Sequence, residues 1–421
     1  MNGSQTMYGT NPSALFNAWA WAWASACIGR TCALLVVALV LSGCVSQTVK
    51  RVDTTPAKQA TAFIPEDRLL DVGVALFDPN VPDDWDEREK QGILPEVRQA
   101  EARFMPFLLK DTLESTGNWG AVRVVPRDTH AVDVNVDAKV LESNGETLRL
   151  RVTVTDATGA RWFTRDYAYQ ASRYAYDEVA PAGLDPFQMV YNRISNDMLA
   201  YQEGMTVAEV HRIRNIGRMR FARDFSPEAF DGYLAENGGQ YQLVRLPAEN
   251  DPMMSRIGRV REREHLFIDT LDGHFANFVK DMNTPYTEYR RHTYAEAVAL
   301  REMRESARAR TLMGVLAVAG GIYAATQGET QIGRAAGQLG ILGGATLIQD
   351  GLNRRQEAEM HALALNELAA SLEQEITPSV IELDDRSITL TGSVDRQYDQ
   401  WREILHDLYR SDVGLPAEGD G

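Results

Sequence analysis

The stretch VDVNVDAKVLESNGETLRLRVTVTD, from Val132 to Asp156, decides the fold of the first half of this chain. Apolar and polar residues alternate on both sides of Asn144 and Gly145, as in two β-strands that each bury one face. Asn-Gly is a preferred pair for the tight turn of a β-hairpin. The sequence therefore predicts an antiparallel hairpin whose buried face carries Val132, Val134, Val136 and Ala138, then Leu148, Leu150, Val152 and Val154.

Segments on either side of this hairpin extend it into a sheet. Leu69 to Phe77 is apolar and rich in β-branched residues, and it predicts a buried strand. A helix follows from Pro95 to Ser115, because apolar residues recur at helical spacing despite Pro106. Ala121–Val125 and Arg161–Tyr169 supply further strands. This order, β-α-β-β-β-β, predicts the α+β class, with one helix on a mostly antiparallel sheet.

The amino-terminal segment has the features of an export signal. Thr31 to Val40 (TCALLVVALV) has the length of a signal h-region and is short for a transmembrane helix. It leads into Leu41 to Cys44 (LSGC), which resembles the lipobox of bacterial lipoproteins. The resemblance implies a signal peptide over residues 1–43, cleavage between Gly43 and Cys44, and a diacylglycerol on the sulfur of Cys44.

Some details of this segment leave alternatives open. Arg30 is the single charged residue before Cys44, so both a translation start downstream of Met1 and an uncleaved anchor helix stay as alternatives. Val45 stands where an Asp, in lipoproteins of this type, signals retention in the inner membrane. The resemblance thus favours the periplasmic face of the outer membrane, with residues 44–65 as a flexible tether.

The α/β segment carries a second resemblance. Residues 66–173, with the phrase VGVALFD just before the helix, resemble the periplasmic domain of curli-secretion and TolB-type lipoproteins and of exopolysaccharide-export lipoproteins. Those domains form rings or bind partners, so the resemblance implies an assembly module. A generic α/β domain is the alternative interpretation.

Charge and cysteine content exclude some classes. The net charge is -16, and it becomes -17 once the positive charge of Arg30 is removed with the signal. Repulsion from phosphates then argues against a nucleic-acid partner. Cys27 and Cys32 lie within the signal, so the mature chain keeps only Cys44 and forms no internal disulfide. The acidic stretch Asp78 to Glu89 lacks the glycine of a calcium-binding loop and predicts a solvated loop.

Residues 174–310 predict a mainly helical region. Helix starts are indicated at Asp185, at Thr206, which has Glu209 three residues later as in a capping box, and at Asp251. Pro285 is expected to break the third helix, and a further helix should follow to residue 310. The second helix carries a basic run that either contacts anionic lipid headgroups or a partner, or pairs with the protein's own carboxylates. Its arginines include Arg212, Arg214, Arg218 and Arg220.

Residues 311–349 are rich in glycine and nearly uncharged, and they predict two apolar helices joined by a polar turn. Small residues repeat at four-residue spacing and create a face where another helix can approach closely. They include Gly333 with Gly337, and Gly340 with Gly344. Entry into a membrane, packing within the protomer and packing between copies are the three interpretations, and our hypothesis is self-association into a homo-oligomer.

Residues 350–410 predict a helix from Ala358 to Gln374, a β-hairpin and a final helix, followed by a disordered tail over 411–421. The phrase SITLTGSVDRQYDQW, from Ser387 to Trp401, resembles the strand-turn-helix of BON domains, which are periplasmic modules that bind membranes and partners. The resemblance extends over residues 380–410, about half of such a domain.

The common exported-enzyme motifs GxSxG, HExxH, P-loop and CxxC are absent from the sequence, and its seven histidines are isolated. We therefore expect no catalytic residue, metal ligand or cofactor. The sequence favours a non-enzymatic, outer-membrane-anchored subunit of a secretion, polysaccharide-export or surface-structure machine, with envelope proteins as partners. The alternatives are a cell-wall or glycan hydrolase that uses a carboxylate pair, and a lipoprotein activator of a peptidoglycan synthase.

Overall fold

The computed structural model describes residues 55–176, 184–324, 367, 379–383, 386–390 and 393–414. They belong to one compact unit that starts at Asp53. The described part is a mixed α/β structure, as the sequence predicts at the level of fold class.

The central sheet has five strands in the order β2-β1-β3-β4-β5. They are Val72–Ala75 (β1), Val122–Val125 (β2), Val134–Ser143 (β3), Thr147–Asp156 (β4) and Arg161–Gln170 (β5). β1 pairs in parallel with both β2 and β3, whereas the β3–β4 and β4–β5 pairs are antiparallel. The sheet is therefore mixed, and the predicted antiparallel pairing is wrong for its first half.

The parallel pairing depends on an unusually short connection. Residues 126–133, here called the junction loop, carry the chain from β2 across the face of β1 to β3. Parallel neighbours normally need a crossover of about a dozen residues or more. Here Gly73 makes the short path passable, because a Cβ at that position would lie 3.0 Å from Cγ2 of Val132. Because Gly73 has no side chain, the junction loop can pack directly on β1.

The helices are Trp85–Gln91 (α1), Pro95–Ser115 (α2), Gln188–Glu203 (α3), Val207–Phe225 (α4), Pro227–Phe230 (α5), Pro252–Ala324 (α6) and Val394–Asp412 (α7). α1 lies in the acidic stretch for which a loop was predicted, so that prediction is wrong for its second half. The sequence of α1 has no repeated apolar residues that would indicate a helix. Its one large apolar residue, Trp85, is 67% exposed.

One face of β3 and β4 forms the core with α2 and α3. Val134, Val136 and Leu150 are fully buried there and contact a cluster that includes Leu109 of α2 and Ile194 of α3. The alternate residues of the two strands are intermediate or exposed. The burial pattern thus follows the alternation in the sequence, and it leaves a polar outer face on β3, β4 and β5.

A second core lies between α2 and the remaining helices. Phe104 of α2 meets Tyr286 of α6 edge to face, with ring centroids 5.2 Å apart. α6 also closes the β2 edge of the sheet, since the backbone N–H of Val124 donates to Oδ1 of Asp272 and Arg123 pairs with Asp269. The helical region therefore packs directly against the sheet.

α6 is continuous through Pro285, so the predicted break at this residue is wrong. Proline removes one backbone hydrogen bond from a helix interior. Met282 and Tyr286 on either side of it are fully buried, and their burial offsets that loss. The helix then continues into the glycine-rich segment as far as Ala324.

The carboxy-terminal unit consists of Ser379–Leu383 (β8), Arg386–Leu390 (β9) and α7. β8 and β9 pair antiparallel, and a separate small hairpin, Leu234–Asn237 (β6) with Gln240–Leu243 (β7), packs near α4. Leu390 and Trp401 lie in the same buried cluster as Phe104. α7 ends at Asp412, two residues into the predicted tail, and residues 358–366 and 368–374 of the predicted preceding helix lie outside the described residues.

The second half of the predicted tether is fixed to the folded body, which corrects the prediction of flexibility there. The side-chain amide of Asn192 donates to the carbonyl of Thr55, and that of Asn196 donates to the carbonyl of Pro56. The Lys58 N–H donates to Oδ1 of Asn196 at 2.8 Å. These side chains satisfy backbone groups that a free tether would leave to water.

Candidate functional site

The junction loop is the point where the sheet meets three helices. Its Ala131 carbonyl accepts hydrogen bonds from the guanidinium of Arg261 at 3.1 and 2.7 Å. Nε2 of His265 lies 2.8 Å from the same oxygen. Two side chains of α6 therefore fix the loop from one side, and burial lowers the pKa of His265.

On the other side the loop meets a buried polar cluster shared with α7. Glu264 of α6 is fully buried, accepts a hydrogen bond from the Tyr398 hydroxyl at 2.7 Å and pairs with Arg402 at 2.7 Å. Oγ1 of Thr129 in the loop lies 3.2 Å from the Tyr398 oxygen. Burial and the nearby Glu264 carboxylate raise the pKa of Tyr398. A buried charge is tolerated when it is paired and hydrogen-bonded in this way.

Arg127 gives the loop a second attachment to α7. Its guanidinium pairs with the Asp399 carboxylate and lies over the Tyr398 ring, 5.4 Å from the centroid. Arg127 and Thr129 therefore both hold α7, and Asp128 lies between them.

Asp137 of β3 is half-buried and lies near Asp128 of the junction loop. Burial, together with the neighbouring carboxyl group of Asp128, raises the pKa of Asp137 to about 7.

His130 of the junction loop is uncharged. Nη2 of Arg220 donates to Nε2 of His130 at 2.8 Å. An arginine has no acceptor, so this ring nitrogen carries no proton. Burial, together with the positive charge of Arg220, lowers the pKa of His130 to about 4.

The four arginines that the sequence singles out on α4 fall into two groups. Arg214 donates to the Glu66 carbonyl at 2.6 Å, and Arg220 donates to the Ala157 carbonyl at 3.0 Å as well as to His130. Arg212 and Arg218 are exposed. Two of the four thus bond to the protein itself, and the other two are exposed to solvent.

Arg218 also lines a groove of about 520 Å³ between α4 and the start of α6. Asn215 and Met219 of α4 face Met254 and Ser255 of α6, and the segment from Leu246 to Asp251 forms the third wall. The lining mixes one arginine with two carboxylates and two methionines, so the groove shows no preference for one charge.

The remaining predicted site residues lie outside the described residues. They are Gly43 and Cys44, and the glycines Gly333, Gly337, Gly340 and Gly344. Within the described part of the chain, no helix has the length and apolarity needed to cross a membrane, and no group of three potential ligands is placed to hold a metal ion.

A second cavity, of about 470 Å³, lies beside Tyr176 and Arg290. Neither this cavity nor the groove at Arg218 is lined by Asp128 or Asp137.

No protein-family model, curated protein or solved structure matches this chain.

Sequence reasoning missed the junction loop as a site. Glu264 and Tyr398 are 134 positions apart, and Asp128 looks like an ordinary loop residue. Asp137 stands between Val136 and Ala138 on the polar side of a predicted strand. That position predicts exposure and gives no indication of a partner.

Proposed function

We propose that this chain is an outer-membrane-anchored periplasmic lipoprotein that acts by binding and assembly rather than by catalysis. In this proposal it serves as an accessory subunit of a secretion, polysaccharide-export or surface-structure machine. The observation that carries the proposal is the LSGC sequence at Leu41–Cys44 directly after the apolar run. Everything after Cys44 then lies in the envelope.

The length of the free tether supports a role close to the membrane. Thr55 is bonded to Asn192, so ten residues separate the lipidated Cys44 from the first residue attached to the folded body. The eleven Cα-to-Cα steps from Cys44 to Thr55 span at most ~40 Å when fully extended. The body would therefore stay near the membrane surface, where the exposed Arg212 and Arg218 can meet anionic headgroups or a partner.

The length of α6 supports an assembly role. Arg301 pairs with Glu146 of the β3–β4 turn at 2.9 Å, and the helix continues for 23 residues to Ala324. At ~1.5 Å per residue, this continuation adds about 35 Å. In this proposal, the length of the helix is the feature that favours assembly.

Replacing Cys44 by Ser is expected to abolish lipidation and to remove the protein from the outer-membrane fraction. Cell fractionation and mass spectrometry of the amino-terminal peptide of the mature protein measure both effects. Cys32→Ser is the matched control, since it changes a thiol inside the signal and should leave fractionation unchanged. An unmodified peptide crossing residues 40–50 in the native protein would contradict the proposal.

Self-association through the glycine-rich segment is the second expectation. Gly340→Leu combined with Gly344→Leu should reduce the mass of the detergent-solubilised protein from an oligomer to a protomer, because bulky side chains block close helix approach. Native mass spectrometry measures this change. Gln338→Leu places the same leucine side chain outside the four-residue repeat and should leave the oligomer intact. An unchanged mass in the double variant removes self-association at this face.

A further inference from the structure

Strand β5 is an edge of the five-stranded sheet, so half of its backbone groups point away from β4. Just after β5, the Ala171 N–H donates to the carbonyl of Glu146, which directly precedes β4. The carbonyl of Ala168 instead accepts a hydrogen bond from Nη1 of Arg193 on α3 at 2.9 Å. Backbone groups alternate in direction along a strand, so those of residues 164, 166 and 168 point away from β4.

Thr164 and Asp166 keep their outward backbone groups free. Among the described residues, no group bonds to the outward N–H or C=O of either one. Their side chains are engaged on the outer face of the sheet. Oγ1 of Thr164 lies 3.0 Å from Oγ1 of Thr153, and the Asp166 carboxylate pairs with Arg151 at 2.7 Å. Two donors and two acceptors therefore stand at the two-residue spacing at which an added strand forms its hydrogen bonds.

These two residues are complementary to each other when two copies of β5 pair antiparallel. A two-fold axis at Arg165 places Thr164 of one copy opposite Asp166 of the other. Each of the two resulting pairs exchanges both of its backbone hydrogen bonds. The same register places the Thr164 hydroxyl, which can donate, beside the Asp166 carboxylate, which accepts.

Arg165 faces its counterpart across this axis, and its charge is already balanced. Its Nη1 pairs with Oδ2 of Asp197 on α3 at 2.7 Å. Its guanidinium also lies over the Phe163 ring, 5.0 Å from the centroid. The axis therefore brings together two ion pairs, each without net charge, rather than two free cations.

The neighbouring registers fit less well. An axis at Asp166 would place two carboxylates directly opposite each other, and it would need the Ala168 carbonyl that Arg193 already occupies. An axis at Thr164 would need the backbone of Trp162, which lies where the pairing of β4 with β5 shifts its register. The axis at Arg165 is therefore the one that uses the free groups of β5 without a clash of charge.

We propose that β5 is an interface between copies of this chain, in which two β5 strands pair antiparallel about Arg165 and join their sheets. The interface is separate from the glycine-rich segment and does not depend on it. A pairing of so few hydrogen bonds is weak in water, so it dissociates at the dilution used for mass measurement. Copies confined to a membrane by the lipid of the proposed function would pair more readily, because confinement raises their effective concentration.

Disulfide cross-linking of the concentrated full-length chain in detergent tests this pairing. The two Cα atoms of residue 165 would lie about 4.5 Å apart, within the range that a disulfide spans. Residues 168 of the two copies would lie ~20 Å apart. On mild oxidation, Arg165→Cys should therefore form a linked dimer at least about ten-fold faster than Ala168→Cys. The natural protein measures the background.

A second substitution removes one of the free backbone donors. Thr164→Pro, added to Arg165→Cys, deletes an N–H that points away from β4, a position at which an edge strand tolerates proline. Cross-linking should then fall about ten-fold, because the pair loses backbone hydrogen bonds on both sides of the axis. Thr164→Ser keeps the N–H and the hydroxyl, and it should cross-link at the original rate.

The ratio of the two cross-linking rates separates this interface from the glycine-rich segment. It should be the same in a chain that also carries Gly340→Leu and Gly344→Leu, whatever the mass of that chain. Three results would overturn the proposal. They are equal rates for Arg165→Cys and Ala168→Cys, cross-linking that survives Thr164→Pro, and a ratio that falls to one in the chain with the two glycine substitutions.

Discussion

Replacing Asp185 by Ala is expected to lower the free energy of unfolding by about 3–5 kcal/mol, because it leaves a buried guanidinium without its counter-charge. Arg290 of α6 pairs with Asp185 at 2.8 Å, and the two side chains are 3% and 6% exposed. Burial alone would lower the pKa of Arg290, but the Asp185 carboxylate and the neighbouring tyrosines raise it. Urea unfolding of the full-length chain in detergent measures the loss.

Asp166→Ala is the matched control for this prediction. Asp166 also pairs with an arginine, Arg151, at 2.7 Å, but both side chains are about half exposed. Solvent screens exposed pairs of this kind, so Asp166→Ala should lower the free energy of unfolding far less than Asp185→Ala. Adding Arg290→Met to Asp185→Ala should recover part of the lost stability, since it removes the unpaired charge. Equal losses for Asp185→Ala and Asp166→Ala would show that Arg290 is not held in a dry environment.

Replacing Trp401 by Ala is expected to cost a similar amount, about 3–5 kcal/mol, and to undock the carboxy-terminal unit. Trp401 is 2% exposed and packs on Phe267 of α6, with ring centroids 5.3 Å apart. Ala leaves a cavity between α7 and α6 that the surrounding side chains cannot fill. Limited proteolysis should cut α7 faster in the variant, and unfolding experiments give the energy.

Two further variants separate packing from other effects. Trp85 is 67% exposed, so Trp85→Ala should change stability by no more than about 0.5 kcal/mol. Trp401→Phe keeps an aromatic ring and removes an indole N–H that has no hydrogen-bond partner among the described residues, so it should cost much less than Trp401→Ala. An α7 that is cut no faster in Trp401→Ala would mean that other contacts dock it.

Local patterns in the sequence gave the elements of this fold with good accuracy. Helix α2 begins at Pro95 and ends at Ser115 as predicted. The capping box at Thr206 is present, with the Glu209 N–H donating to Oγ1 of Thr206 and the Thr206 N–H donating to the Glu209 carboxylate. These features depend on residues within one turn of helix or one strand, so the sequence contains all that determines them.

Features that depend on distant residues were not predictable in this way. Alternation shows which face of a strand is buried but not which direction its neighbour runs, and the parallel pairing of β1 depends on Gly73 and the junction loop. The local rule that proline breaks a helix fails at Pro285, because the burial of Met282 and Tyr286 offsets the lost hydrogen bond. The Glu264 cluster joins residues from three separate parts of the chain, and no spacing in the sequence indicates their contact.

The closure of the β2 edge by α6 limits how this sheet can grow. Val124 donates its N–H to Asp272, so a strand from another molecule finds no vacant row of backbone groups there. β5 is the opposite edge of the five-stranded order, and Arg161, Arg165 and Asp166 are exposed along it. Within the described residues, the five-stranded sheet can therefore be extended by another molecule only from β5. An open-ended stack of this sheet, which requires two receptive edges, is blocked at β2.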